Sequence, residues 1–531
     1  MPTIVEYKEK YLVPNYEIHL MPDMAYVRPP NGEKNWRSDN DDGELPPRSR
    51  NPKYPPKKTS LRSMRVVNGV ARDLYLLADG RKRAEEVYVD VLKKNNASYG
   101  THKAAIYDFL QQMVDLKHLK LSDKPKKTSI AATGSEEYFY PAHISIEVTS
   151  ACNLRCIHCY GYFGMPKSEP FSSDKIISYL EDMRDNGLRS IELTGGECMT
   201  HPEFDRILKW CCEYLDLIGV LTNGTLFTEE TFDIMSAYAD KLALQICING
   251  NEKTHNEFTK SKTAYKKAMS AIRRLAQAGV LVRTPMNVHL GSYEQVLETG
   301  RALYEVGSTQ FLATPINERF GRAQDIHSSK KKKPAKLLAK QGGCSKDVCH
   351  RILNGEEHSC KELAEMYKKM YTRTSEQLDQ LEKEFPAFVK KEFSEDEERM
   401  REHDKSCGAG RRVYYISCNG DVCLCPMAVE SGIPKFGNIV DCTVKELCSS
   451  EFAHTISHLP MPNEKDCLLP DGKLCPSFGF DKGCILNGLT TYMKKPKECP
   501  WGEKHNVATL FKTGKHELEI AEDGSWQNKN N

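Results

Sequence analysis

The sequence predicts an α/β protein: a parallel sheet with helices outside it, preceded by a winged-helix-like module and followed by a cysteine-rich domain. Three observations predict this. Between residues 138 and 327, short apolar runs alternate with amphipathic segments, the pattern of strand–helix units whose strands pair in parallel. Before that stretch, apolar residues recur at helical spacing three times within 61–121. From residue 406 on, cysteines crowd among glycines and prolines, a composition in which bound metal stands in for an apolar core.

Residues 1–60 are rich in Pro, Asn and charge, as in Arg28-Pro29-Pro30 and Asp39 to Asp42, and read as an irregular N-terminal extension. In 61–121, Val70, Ala71, Leu74 and Leu77 mark a first helix before the Asp79-Gly80 turn. Ala84, Val87, Val91 and Leu92 mark a second, and Ile106, Phe109, Leu110, Met113 and Val114 a third, with Leu119 and Leu121 suited to a closing strand. Residues 122–137, with Ser122-Asp123-Lys124-Pro125 and Thr133-Gly134-Ser135, read as a linker. Strand candidates then follow at Ile144–Val148, Ser190–Leu193, Ile218–Thr222, Leu242–Ile248, Val280–Val288 and Gln310–Ala313. Helices such as Ser172–Asn186, Glu203–Leu215 and Ala264–Ala278 lie between them. Residues 328–405, with Lys330 to Lys333 and dense charge from Lys361 to Asp404, read as a solvated, mostly helical insertion. Residues 406–505 form the cysteine-rich domain and 506–531 a tail.

Composition narrows the function. The 531 residues are 39% hydrophobic and 28% charged, a globular balance, and no apolar run approaches the ~18 residues that span a membrane. A formal net charge of +2 leaves no general basic footprint for nucleic acid. Met1 to Lys10 lacks a charged-then-apolar signal pattern. Twenty cysteines without that signal point to metal or redox chemistry in a reducing, cytoplasmic setting rather than to a disulfide framework.

The cysteines with the sharpest meaning are Cys152, Cys156 and Cys159, in C-x3-C-x2-C spacing within Cys152-Asn153-Leu154-Arg155-Cys156-Ile157-His158-Cys159. Iron–sulfur cubanes are normally held by four thiolates. A three-cysteine loop therefore leaves one iron open, and an open position marks a catalytic metal site. Zinc is the plain alternative, although His158 sits too close to two cysteines to complete a tetrahedron. Thr194-Gly195-Gly196-Glu197 ends the second strand candidate, where paired glycines let backbone approach a ligand and a carboxylate can accept from an ammonium group. Thr222-Asn223-Gly224 ends the third, and Leu244 to Gly250 runs through the fourth with Cys247 and Asn249 at its end. His255, Arg283 and Asn287 are further polar candidates that structure alone could also explain. In the last domain, Cys407-Gly408-Ala409-Gly410 precedes the hairpin signal Asn419-Gly420 and Cys425-Pro426. Cys467, Cys475, Cys484 and Cys499 supply four more thiols, with Cys418, Cys423, Cys442 and Cys448 as possible substitutes. Cys198, Cys211 and Cys212 suit the core, and so could Cys247, while Cys344, Cys349 and Cys360 have no evident place.

The cysteine loop, with Tyr160 after it, resembles the cluster-binding loop of the radical S-adenosylmethionine (radical SAM) superfamily. Six strand–helix units match that family's partial (β/α)6 barrel, with the loop following the first strand on the face where barrels build active sites. The resemblance implies a 4Fe–4S cluster at Cys152, Cys156 and Cys159 that chelates S-adenosyl-L-methionine, with Thr194 to Glu197 and Asn223 near it. Cys247 and Asn249 stand where the family carries a serine and an aspartate. The C-terminal stretch is similar to the SPASM domain, implying one or two auxiliary 4Fe–4S clusters drawn from Cys407, Cys425, Cys467, Cys475, Cys484 and Cys499. Gly321-Arg322-Ala323 matches a turn of the same subgroup. The unit at 61–121, notably Val70-Ala71-Arg72-Asp73-Leu74-Tyr75, resembles the peptide-recognition element of peptide-modifying members, with a structural or DNA-binding winged helix as its alternative. These resemblances imply a maturase for ribosomally made peptides. It would bind a precursor through a leader segment, draw electrons from a flavodoxin or ferredoxin, and generate a 5′-deoxyadenosyl radical. A thioether crosslink ranks first and a carbon–carbon crosslink second. Behind them stand sulfatase-maturing-type oxidation of a protein Cys or Ser, peptide epimerisation, and, last, a non-enzymatic iron–sulfur or zinc scaffold binding nucleic acid.

Overall fold

The computed structural model describes residues 8–22, 24–28, 51, 53–54, 65–100, 102–166, 169–316, 322–323, 351–353, 356–358, 360–390, 408–469, 472–475, 484–511, 518–520 and 526–528. The chain begins with strands β1 (Tyr11–Pro14), β2 (Glu17–Leu20), β3 (Met24–Arg28) and β4 (Arg65–Asn68). Helices α1 (Gly69–Leu77), α2 (Ala84–Lys94) and α3 (Lys103–Asp115) follow, then β5 (Leu119–Ser122) and β6 (Ala131–Gly134). Asn68 caps α1 by accepting from the Ala71 amide. The helices meet over Leu74, Tyr75, Val87, Tyr88, Tyr107 and Leu110, all buried.

Two expectations change here. The N-terminal stretch is not irregular throughout, because β2 and β3 pair antiparallel, β4 joins β3, and β1 pairs with β5. The linker holds β6, which runs parallel to β2. Strands of four or five residues are too short to show a period, and β1 and β2 are completed by partners more than 100 residues away. Residues 29–50 lie outside the described residues.

The central region lays down β7 (His143–Glu147), α4 (Ser173–Asp185), β8 (Ser190–Thr194), α5 (Phe204–Tyr214), β9 (Leu217–Thr222), α6 (Glu229–Ala237) and β10 (Leu242–Ile246). It continues with α7 (Glu252–Thr259), α8 (Ala264–Gln277), β11 (Leu281–Val288), α9 (Val296–Val306) and β12 (Gln310–Pro315). The six strands β7 to β12 pair in parallel and in chain order. Along β9 and β10 burial alternates strictly, and along the other strands in part. Ile144, Ile146, Ile191, Leu193, Ile218, Val220, Leu244 and Val282 pack under the helices. Glu192, Gln245, Arg283 and Gln310 fall on the opposite face and stay partly open. With these polar side chains on it, the second face is not filled by a continuous apolar layer, so it has room for ligands.

After a hairpin, β13 (Arg351–Leu353) and β14 (Glu356–His358), comes the long helix α10 (Cys360–Glu384). Its described part is packed rather than merely solvated: Met370, Gln377 and Leu381 are buried. Beyond it the Phe311 amide donates to Phe388 O and the Lys390 amide to Phe311 O, each at 2.8 Å, which covers the edge of β12.

The cysteine-rich domain starts by extending the same sheet. Strand β15 (Val413–Ile416) pairs parallel to β7, followed by antiparallel β16 (Asp421–Cys423) and β17 (Gly437–Asn438), for nine strands in all. Gly420, at φ +83°, makes the turn. Helices α11 (Val444–Cys448), α12 (Glu451–His458), α13 (Ile485–Lys494) and α14 (Pro500–Lys504) complete it. Contrary to expectation this domain has a substantial apolar core, continuous with that of the barrel, around Phe436, Phe452, Ile456, Leu489 and fully buried Trp501. The tail contributes too, through Leu510 and Phe511.

The N-terminal unit docks beside the starts of β7 to β9. Arg28 pairs with Glu17 and with Asp216, and buried His19 bonds Tyr140 O and Thr133 Oγ1.

Candidate cluster and cofactor site

The cysteine loop leaves the C-terminal end of β7 and is stitched down on two sides. The Cys152 amide donates to Gly164 O at 2.8 Å, and the Arg155 and Ile157 amides donate to Thr259 O and Phe258 O at 3.2 and 3.0 Å, the last turn of α7. The thiols of Cys152, Cys156 and Cys159 are half-buried. Burial pushes Cys152 up to about 11 and Cys156 up to about 12, and the loop's other thiols push the same way. Thiols held that high ionise only against strong positive charge, which a metal centre brings. Among the described residues no three His, Cys, Asp or Glu side chains close around the point of a single ion. A set of three thiols from one loop fits a larger, polynuclear group.

Thr194 to Glu197 end β8 directly behind that loop. The Gly196 amide donates to Thr149 O at 2.9 Å and the Glu197 amide to Ala151 O at 2.8 Å. A Cβ on Gly195 or Gly196 would stand 2.3 or 2.2 Å from those same carbonyls, so the glycines serve backbone-to-backbone packing. Glu197, 1% exposed, accepts from Thr222 Oγ1 and the Asn223 amide at 2.7 Å each and from the Met199 amide at 3.3 Å. Burial raises its pKa while these donors oppose the shift. Its carboxylate thus fastens the end of β8 to the end of β9. Asn223 Nδ2 in turn donates to Asn153 Oδ1 of the cysteine loop at 2.9 Å.

Cys247 follows β10, and burial pushes its thiol up to about 11. It is one of the groups acting on Cys156, so it faces the cluster loop rather than the core. Cys198, Cys211 and Cys212 do lie in the core. Asn249 is buried, and its Oδ1 accepts from the Asn287 amide and Nδ2 at 2.9 and 3.2 Å. Asn287 Nδ2 also lies 3.3 Å from His158 Nε2. The Asn249 amide donates to His255 Nδ1 at 3.1 Å. Burial lowers His158 and His255 to about 4, so both are neutral rings. His158 Nδ1 and His255 Nε2 are buried without a hydrogen-bond partner among the described residues, as befits a site lined for a polar ligand. Arg283 bonds Gln310 on the open face.

Tyr160, which follows the cysteine loop, reaches toward the cysteine-rich domain. Its hydroxyl lies 2.9 Å from that of Tyr415 on β15, which donates to Glu147 Oε1 at 2.6 Å. Glu147 Oε2 accepts from the Cys418 amide at 3.1 Å. The cluster loop, the first barrel strand and the cysteine-rich domain therefore meet in one buried polar chain. Neither Glu147, Tyr415 nor Asn153 was singled out from sequence. A carboxylate at the end of an apolar strand was the signal available for Glu147; Tyr415 and Asn153 carried none.

Farther out, Cys467, Cys475 and Cys499 face one another: burial raises Cys499 to about 11, with Cys475 and Cys467 adding to it. Cys484 begins α13, where its carbonyl accepts from the Gly488 amide at 3.1 Å, and Cys499 Sγ lies 3.9 Å from Gly488 O. Cys425 follows β16 and neighbours Cys423. Cys418, Cys423 and Cys448 are buried and Cys442 is partly so. Cys407, Gly321, Cys344 and Cys349 lie outside the described residues.

Comparison with known proteins accords with this geometry. Residues 146–303 match the radical SAM superfamily model, and 407–476 match SPASM, an iron–sulfur cluster-binding domain. The antilisterial bacteriocin subtilosin biosynthesis protein AlbA of Bacillus subtilis is 25% identical over 446 residues, 83% of this chain and 89% of AlbA. The sporulation killing factor maturation protein SkfB of the same organism is 27% identical over 193 residues, 36% of this chain and 46% of SkfB. The crystal structure of Streptococcus suis SuiB bound to S-adenosylmethionine matches with a TM-score of 0.51 at 14% identity, covering 92% of this chain and 97% of that one, a likeness of fold. No described helix is long and apolar enough to cross a membrane. The chain therefore carries a radical SAM domain and a SPASM domain, and its cofactors are 4Fe–4S clusters and S-adenosyl-L-methionine.

Proposed function

We propose that this protein is a radical SAM maturase that crosslinks a ribosomally made precursor peptide. The observation that carries the reading is the shared sheet. Strand β15 adds to β7, so the cluster loop and the cysteine-rich domain border one partly open face. The similarity to proteins named for subtilosin biosynthesis and sporulation killing factor maturation supports a peptide substrate.

In this reading Cys152, Cys156 and Cys159 hold the first cluster. Thr194 to Gly196 and Asn223 line the S-adenosyl-L-methionine site, with Glu197 fixing both strand ends from behind. Cys247 and Asn249 line its other side. When bound, these groups supply a 5′-deoxyadenosyl radical that takes a hydrogen atom from the substrate. Cys467, Cys475, Cys484 and Cys499, with Cys407 and Cys425, hold one or two auxiliary clusters. The N-terminal unit takes the leader segment by strand addition, and a flavodoxin or ferredoxin supplies electrons. A thioether is the first-ranked crosslink and a carbon–carbon bond the second.

Reduced, reconstituted protein should release 5′-deoxyadenosine, and a Cys156→Ala variant should not; release by both, or by neither, would sink the enzymatic reading. Mass spectrometry of the co-expressed precursor should show loss of two hydrogens. An unchanged mass would point to epimerisation instead.

A further inference from the structure

All three cysteines of the cluster loop have their backbone carbonyls bonded by an arginine. Arg155 Nη1 donates to Cys152 O at 2.6 Å and to Leu154 O at 2.8 Å. The Arg322 amide donates to Cys159 O at 2.9 Å. Its Nη1 donates to Cys156 O at 3.2 Å, and its Nη2 to Phe163 O. The two arginines differ in setting. Arg155 belongs to the loop and is exposed, whereas Arg322 is half-buried and comes from beyond β12, at the far edge of the six-stranded barrel from β7. Its guanidinium lies 6.0 Å from the Tyr162 ring, and its charge acts on both Cys156 and His158.

From this geometry we infer that Arg322 is a positioning residue for the first cluster. It ties the last strand's connection to the loop of the first, holds the Cys156 and Cys159 carbonyls, and keeps a permanent positive charge beside the site. The inference rests on the reading that these cysteines hold the cluster. Guanidinium stays protonated at any working pH and binds two acceptors through a rigid fork. A fixed positive charge favours the form of a neighbouring cluster that has gained an electron, so it raises the reduction potential, one of the levers that nearby charge gives a protein over such clusters.

The test is a redox titration of the full-length, reconstituted protein, followed by electron paramagnetic resonance. The signal that changes on adding S-adenosyl-L-methionine separates the first cluster from the auxiliary ones. R322Q removes the charge and keeps hydrogen-bond donors; its iron content should match the wild type while the potential of that signal moves negative. R322K keeps the charge and loses the fork; its potential should stay near the wild type while a chelator strips iron several-fold faster. Wild-type potential in R322Q, or an equal shift in both variants, would overturn the role of charge. Should R322Q fail to keep the cluster, R322K decides: cluster kept at the wild-type potential supports the proposal, and cluster lost overturns it. Wild-type protein with no responsive signal would overturn the cluster assignment beneath it.

Discussion

Glu197 shows how one side chain holds two strand ends of the site together. Its buried carboxylate accepts from Thr222, Asn223 and Met199, and a buried donor left without an acceptor costs about 1–3 kcal/mol. Glu197→Ala should therefore lower the melting temperature by several degrees and cut 5′-deoxyadenosine formation at least tenfold, with Glu197→Gln milder on both counts. His19 makes a second residue-scale case. Burial lowers it from 6.5 to about 4, so between those values the unfolded chain binds a proton that the folded chain refuses. Stability from this group rises with pH across that window and is fully present above about 6.5, by up to roughly 3 kcal/mol. Melting curves at pH 5 and 7 should show a larger difference for wild type than for His19→Gln; equal differences would remove His19 as the cause.

At the scale of elements, two additions to the barrel matter. Helix α10 covers α9, and a Cβ on Gly300 would stand 2.4 Å from Leu381 Cδ1, so this contact has no slack. Leu381→Ala should cost about 2–5 kcal/mol, read in denaturant melts, despite its place in a stretch rich in charge. Strand β15 is the other addition. Tyr415→Phe preserves its pairing with β7 but removes the link between Tyr160 and Glu147. S-adenosyl-L-methionine cleavage should continue while modified peptide falls several-fold, seen as a rise in the ratio of 5′-deoxyadenosine to product. Parallel loss of both would mean that the link serves folding alone.

For the whole molecule, the placement of the N-terminal unit has a consequence for the substrate. It contacts Tyr140 and Asp216 near the starts of β7 and β9, whereas the cysteine loop, Gly196 and Asn223 lie past the ends of β7, β8 and β9. Five-residue strands at about 3.3 Å per residue put roughly 16 Å between those faces. A peptide held by its leader at the unit needs a spacer of at least about five extended residues, and more to round the rim. Precursors with a progressively shortened spacer should keep their affinity and abruptly lose modification; modification surviving without a spacer would contradict leader docking at that unit.

Sequence by itself determined the fold class and the strand ends that gather the site, and through its family resemblance the cofactors. Apolar period and cysteine spacing are local, and a strand–helix repeat with a loop after each strand brings its loops to one end. Tertiary structure alone decided which way the polar groups turn. Glu197 faces inward because its donors come from β9, and Tyr160 faces the cysteine-rich domain because Tyr415 arrives more than 250 residues later. The strands within residues 11–28 were hidden for the same reason, since each is too short to show a pattern before its partners close over it. Arg322 was legible only as part of a turn. That it reaches the carbonyls of Cys156 and Cys159 joins the chain after the last barrel strand to the loop after the first, a contact across more than 160 residues that no local stretch encodes.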